Sequence, residues 1–366
     1  MKRYLSLCLA VLLAAGMCVI PAAAEEPLRI GALIPSANAM ELRWNDTGAE
    51  CYAIYRSSSR DGSYRKLGTT TAATYKDRGL RTGGIYFYRV RACRADGTEQ
   101  GRFSAPAGGV CLPIVRQSAL QNPCYRQQKR IEVQGLMLHS IGCPQEQASA
   151  VAAGMNSSAA QVLVHAVIEP SGTVLQLADW DLRCWHCGGS GNSSMIGVEM
   201  TEPKELRYLS GACFAWRDDA AETARKNYHA AVRLFASLCL QYGLDPMEDI
   251  CSHGEAGKAG IASGHADPEH LWLGLGLPLT MHTFRSDVAA YLAGRYTERG
   301  AEQSGHIVTV TAEQLNIRAG AGTDYAVKGT LWRGEKIAVM AVVRSGQHEW
   351  GRLANGCWIA LTYTAD

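Results

Sequence analysis

Apolar and polar residues alternate in short runs through the first third of the chain: MELRW (40–44), CYAIYRS (51–57), YRKLGTT (64–70) and IYFYRVRAC (85–93). A period of two puts every second side chain on one face, the pattern of a half-buried strand. Gly, Asp and Ser clusters between the runs supply turns. Short strands at this spacing with no helical stretch predict a β-sandwich over 28–112. The pattern then changes. GLMLHS (135–140), QVLVHAVI (161–168), TVLQLA (173–178) and SMIGVEM (194–200) are nearly continuous apolar runs, as in buried strands. Residues 219–242 carry apolar positions at helical spacing and end at Gly243, a suitable C-cap. Strands mixed with helices predict a central α/β domain with a mixed sheet over 120–293. The polar stretch GRYTERGAEQSG (294–305) has no periodicity and reads as a linker. Short strands return over 306–366, as in a small β-barrel.

Length and composition add limits. A chain of 366 residues exceeds a typical single core, so a multidomain protein is expected. A formal net charge of +2 gives no argument for a nucleic-acid partner. Lys2 and Arg3 precede an apolar run from Tyr4 to about Ile20, and Ala22–Ala24 follow Pro21 as small residues. That is the layout of a secretory signal peptide over 1–24, so a secreted or cell-wall location is expected, with no membrane contact once it is removed. Two of the thirteen cysteines lie in this segment, leaving an odd eleven, and no disulfide pairing follows from the sequence.

Candidate chemistry gathers in the central segment. His139 closes the run GLMLHS, and His253 opens SHGEAGKAGIASGHADPEH (252–270), a Gly- and Ala-rich loop that also bears Glu255, His265, Asp267, Glu269 and His270. A loop dense in imidazoles and carboxylates can bend several donors toward one ion. Zinc hydrolases need three protein ligands and one open position, and two imidazoles with one carboxylate meet that need. Glu199, in SMIGVEM, is a candidate proton acceptor beside them. Cys184 and Cys187 form a CxxC, but no partner CxxC exists for a second metal.

These pieces resemble, in order, the type 2 N-acetylmuramoyl-L-alanine amidases, the group of AmpD-type enzymes, phage endolysins and peptidoglycan-recognition proteins. LMLHS, VLVHAVIEPSGTVLQLA, CWHCGGS, NSSMIGVEM and CSHGEAGKAGIASGHADPEH carry the resemblance over about 150 residues. It implies Zn2+ held by His139, His253 and Asp267, Glu199 as general base, and His265 stabilising the developing oxyanion where the family usually has Lys. It also puts His186 near the substrate. The implied reaction is hydrolysis of the amide between muramic acid and L-alanine, with the glycan strand and stem peptide of peptidoglycan as partners.

Three departures stand out. The His253–Asp267 interval is long, so His265 remains an alternative third ligand; Ala166 replaces a frequent aromatic; Met195 replaces a usual Ser. The first segment is similar to a fibronectin type III domain, with Trp44 as core Trp and Tyr86 as tyrosine corner. The last, LNIRAGAGTDYAVKGTLWRGEKIAVM followed by EWGRLANGCWIALTY, is similar to a bacterial SH3-type domain, which implies cell-wall binding. A non-catalytic peptidoglycan-binding protein on the same fold is the alternative. The oligomeric state does not follow from the sequence.

Overall fold

In a computed structural model, residues 27–300, 303 and 305–366 are described. The leader expected over 1–24 and part of the expected linker therefore lie outside the described residues. Among those described, no helix is long and apolar enough to cross a membrane.

The N-terminal strands form two facing sheets. Ile30–Ser36, Ala39–Trp44 and Thr74–Arg78 make one, and Cys51–Ser57 and Ile85–Cys93 are the centre of the other. Met40, Leu42, Trp44, Tyr52, Ile54, Tyr88 and Val90 fill the space between them. Cys51 and Cys93 are register partners and are joined by a disulfide. The Tyr86 hydroxyl accepts the Arg81 backbone N–H at 3.0 Å, the bond of a tyrosine corner. The sandwich leans on the central domain, where Val110 N–H donates to Ser237 Oγ at 3.3 Å and the Tyr291 hydroxyl bonds to the Gly83 carbonyl.

The central sheet has six strands in the order Ile250–Ser252, Gly135–Ser140, Met195–Met200, Ala166–Ile168, Val174–Gln176, Ile114–Arg116. All its pairs are parallel except Ala166–Ile168 with Val174–Gln176, so the sheet is mixed. The helices Ala220–Tyr242 and Met281–Leu292 cover one face, burying Tyr228, Phe235 and Phe284 against Leu136, Leu138, Ile196 and Val198. Strand alternation then sends His139 and Glu199 to the opposite face. They are direct register partners across the parallel pair, so one imidazole and one carboxylate project side by side.

The last segment does not stand apart. The central domain's hairpin, Leu206–Ser210 with Cys213–Trp216, continues into the sheet formed by Lys336–Val339, His306–Val310 and Thr364–Ala365. Alternate residues of CFAW (213–216) serve two cores. Phe214 and Trp216 join the central core, while Cys213 and Ala215 join that of Val308, Val310, Leu331 and Ile359. Arg207 clamps the junction, its Nε and Nη2 donating to the two Glu335 carboxyl oxygens at 2.7 and 2.6 Å. The expected C-terminal segment thus shares a sheet and a core with the middle one, since a strand of the middle segment completes it. Intact protein is predicted to show the two melting together in calorimetry. Removing 306–366, which uncovers Cys213 and Ala215, is predicted to lower Tm by ~5 °C or more. Two separate transitions, or an unshifted Tm, would contradict the shared core.

Candidate metal centre and active-site cleft

Three donor atoms converge where His139 leaves its strand. His139 Nδ1 lies 3.1 Å from His253 Nδ1, and the Asp267 carboxylate oxygens lie 3.3 Å from the first and 3.5 Å from the second. All three side chains are buried. The Ser252 side chain caps the helix His253–Lys258, fixing the chain entry that delivers His253. Gly254 N–H donates to the Asp267 carbonyl at 3.1 Å, folding the long loop back so that Asp267 faces the histidines.

The remaining ring nitrogens settle the tautomers. His186 Nε2 lies 3.2 Å from the Met195 carbonyl, which only accepts, so that nitrogen carries the proton. In the neutral ring its Nδ1 is then an acceptor, and it takes the His139 Nε2–H at 3.0 Å. His139 Nδ1 is left with a lone pair. Likewise Ser263 Oγ donates to the Cys187 carbonyl at 3.1 Å and accepts from His253 Nε2–H at 3.2 Å, so His253 Nδ1 also presents a lone pair. Two lone pairs and a carboxylate in contact repel one another unless a cation lies between them.

Zinc fits this set. Tetrahedral ligands at about 2.0–2.1 Å from a metal stand about 3.3 Å from one another, and the observed separations of 3.1, 3.3 and 3.5 Å straddle that value. Among the described residues this is the one cluster of three metal-donor side chains. Burial lowers the His139 pKa, favouring the neutral ligand form, although the Asp267 carboxylate opposes that. Burial pushes the Asp267 carboxyl up, but hydrogen bonding and charge from His139 and His253 more than reverse it, holding it below the usual carboxylate range. A neutral ring beside an ionised carboxylate is the donor state that a divalent cation requires.

Glu199 stands beside the cluster. Its Oε2 is enclosed with no hydrogen-bond partner. Burial raises its pKa well above the usual range, and the Asp267 and Glu202 carboxylates add to the effect. A bound cation would reverse this logic and favour the carboxylate. The residues open into a cleft of about 850 Å3 that also includes His265 and Tyr208.

His265 lies at the cleft lip with its side chain 56% exposed and Nδ1 3.5 Å from Asp267 Oδ1. Its ring stacks on that of His253, centroids 4.2 Å apart. The three-donor cluster contains Asp267 and not His265. His186, expected near the substrate, is among the residues that line the cleft. It is buried behind His139 with both ring nitrogens bonded inside the protein, and it orients the ligand. Gly197 makes room for it, since a Cβ there would lie 2.3 Å from His186 Cγ. His165 is a core residue, bonded to the Leu182 carbonyl and Gly197 N–H, with its pKa pushed down to about 4 by burial.

Three participants lay outside the sequence reading: Ser263, Glu202 and Tyr208. Glu202 is fully buried and accepts the Tyr208 hydroxyl at 2.6 Å and Gly142 N–H at 3.0 Å. The Tyr208 hydroxyl also lies 2.9 Å from His270 Nε2, tying the hairpin to the helix that follows Asp267. Ser263 lies within the loop 252–270, and Glu202 and Tyr208 had only proximity to the strand that carries Glu199 as a signal.

Comparison with known proteins finds similarity in the central and N-terminal segments. Residues 128–270 match the family model described as N-acetylmuramoyl-L-alanine amidase. All three clustered donors fall within the matched residues. A Staphylococcus aureus hydrolase, AmiA, solved with its ligand, is 16% identical over 51% of this chain and 86% of its own, with a TM-score of 0.37. A mutant endolysin from Bacillus subtilis is also 16% identical, over 48% of this chain and 99% of its own, with a TM-score of 0.34. A Fn3-like protein from Clostridium thermocellum is 36% identical over 22% of this chain and 84% of its own, with a TM-score of 0.20. No curated protein sequence matches.

If His186 orients a ligand rather than touching substrate, His186→Ala is expected to weaken zinc binding about 10- to 100-fold. Competition with a chromophoric chelator measures this directly. Unchanged zinc affinity with an altered KM would restore the substrate role.

Proposed function

We propose that the chain is an exported, zinc-dependent amidase that hydrolyses the bond between muramic acid and L-alanine in peptidoglycan. The observation that carries this reading is the three-donor cluster of His139, His253 and Asp267, with unpartnered Glu199 beside it, inside the segment that matches the amidase family. Zinc held there supplies a Lewis acid and a water acidified to near neutrality.

The chain's own residues do the rest. Glu199 is placed to take the proton of the attacking water and to return it to the alanine nitrogen as the C–N bond breaks. His265 offers a ring N–H from the lip to the carbonyl oxygen as charge develops on it. His186 and Ser263 fix the two imidazoles so that both Nδ1 atoms stay turned inward. Glu202 holds the Gly142 N–H and the Tyr208 hydroxyl, keeping two walls of the cleft in place.

Export rests on the N-terminal pattern of Lys2, Arg3, the apolar run and Ala22–Ala24. Cell-wall attachment rests on the SH3-like motifs of 306–366, and the fibronectin-like sandwich serves as a spacer or binding surface. A recognition protein without catalysis is the weaker reading, since this chain has both the three donors and Glu199.

Mass spectrometry of digested peptidoglycan names the bond. Free muramic acid lactyl carboxyls and N-terminal alanine are expected, and cleavage within the stem would contradict the proposal. A chelator is expected to stop release and added zinc to restore it. Glu199→Gln is expected to lower turnover by about 10²- to 10⁴-fold. His265→Ala is expected to cost about 100- to 1000-fold, and full activity in that variant would remove His265 from the chemistry.

A further inference from the structure

Beyond the hairpin that walls the catalytic cleft lies a second cavity of about 480 Å3, between the hairpin and the C-terminal strands. Tyr208 lines both cavities, and the hairpin turn at Gly211 and Ala212 lines the catalytic one. The two cavities therefore share the hairpin as a common wall. None of the residues lining the second cavity is acidic.

Several of its lining residues carry side-chain donors that no other protein group takes up. Lys328, Arg207, Asn355 and Ser210 are among its lining residues, Lys328 and Ser210 being exposed, and among the described residues Lys328 Nζ, Arg207 Nη1, Asn355 Nδ2 and Ser210 Oγ have no hydrogen-bond or ion-pair partner within the protein. Arg207 is already balanced by Glu335 through Nε and Nη2, so Lys328 leaves the cavity with one unneutralised positive charge. The walls are also fixed in advance. Arg207 Nη2 bonds to the Thr330 carbonyl at 3.1 Å, Trp216 pairs with Lys336, and Tyr208 is held by Glu202 and His270. A preformed pocket loses little ordering entropy on binding.

We infer that this cavity is a subsite for the distal, carboxylate-bearing end of the stem peptide, with Lys328 as the carboxylate partner. The inference rests on the amidase reading for the identity of the occupant. A peptide whose first amide lies at His139, His253 and Asp267 crosses the hairpin turn and reaches donors that complement its carbonyls and free carboxylates. Lys328 and Arg207 come from different segments, so the subsite exists only because the hairpin is annealed to the C-terminal strands. The C-terminal segment thus selects substrate directly, in addition to any hold on the wall.

The test is steady-state cleavage by the full chain of three soluble substrates: an amidated muramoyl-dipeptide, a muramoyl-pentapeptide with free carboxylates, and the same pentapeptide fully amidated. Wild-type protein is expected to show its lowest KM for the free-acid pentapeptide. Lys328→Ala is expected to raise that KM about tenfold with kcat unchanged, to leave the two amidated substrates unaffected, and to be rescued by Lys328→Arg. Equal KM values across the substrates, or a Lys328→Ala effect on all three, would overturn the subsite. If no substrate is cleaved, the amidase reading fails, and calorimetry with the free pentapeptide decides the subsite alone. Binding that Lys328→Ala weakens keeps it, and no binding by wild-type protein removes it.

Discussion

Two imidazole lone pairs and a carboxylate held within 3.5 Å of one another in a buried pocket are the constraint on which the rest of this structure depends. Such a cluster costs free energy until a cation or a proton occupies it. The fold holds the donors there from several sides. Strand alternation aims His139 and Glu199 at one face, a capped helix delivers His253, and a backbone bond from Gly254 folds the loop so that Asp267 meets them. His186 and Ser263 then remove the freedom of each ring to turn its lone pair away.

The same economy governs the hairpin at 206–216. Its inner residues, Phe214 and Trp216, belong to the core under the metal loop, and its outer residues, Cys213 and Ala215, complete the C-terminal core. Between them Tyr208 reaches Glu202 and His270. One short element thereby sets the position of a cleft wall, the helix after the Asp267 ligand and the C-terminal strands. The Arg207–Glu335 clamp joins this element to the C-terminal strands.

Much of this was legible in the sequence because it is local. Period-two alternation in MELRW and CYAIYRS identifies sandwich strands, and the apolar runs ending in His139 and containing Glu199 identify both face and neighbour. The loop from Ser252 to His270 declares its donors by composition. Other features were not legible, because they depend on partners distant in the chain. CFAW is apolar at every position, which marks a strand buried on both faces, yet nothing local says that its second partner begins at Lys336. His186 looked like a substrate contact because its motif lies beside the site. Only the hydrogen bonds to Met195 and His139 show that it also orients a metal-donor ring. Glu202 and Tyr208 share no motif, and it is the hairpin that brings them together.

The central claim is that His139, His253 and Asp267 form one zinc site. X-ray absorption at the zinc edge, on protein loaded with one equivalent of zinc, tests it most directly. The account predicts two imidazole nitrogens and one carboxylate oxygen among the ligands, at about 2.0–2.2 Å, with the carboxylate contribution lost in Asp267→Ala. A shell containing sulfur, a third imidazole in place of the carboxylate, or a spectrum unchanged by that substitution would contradict it.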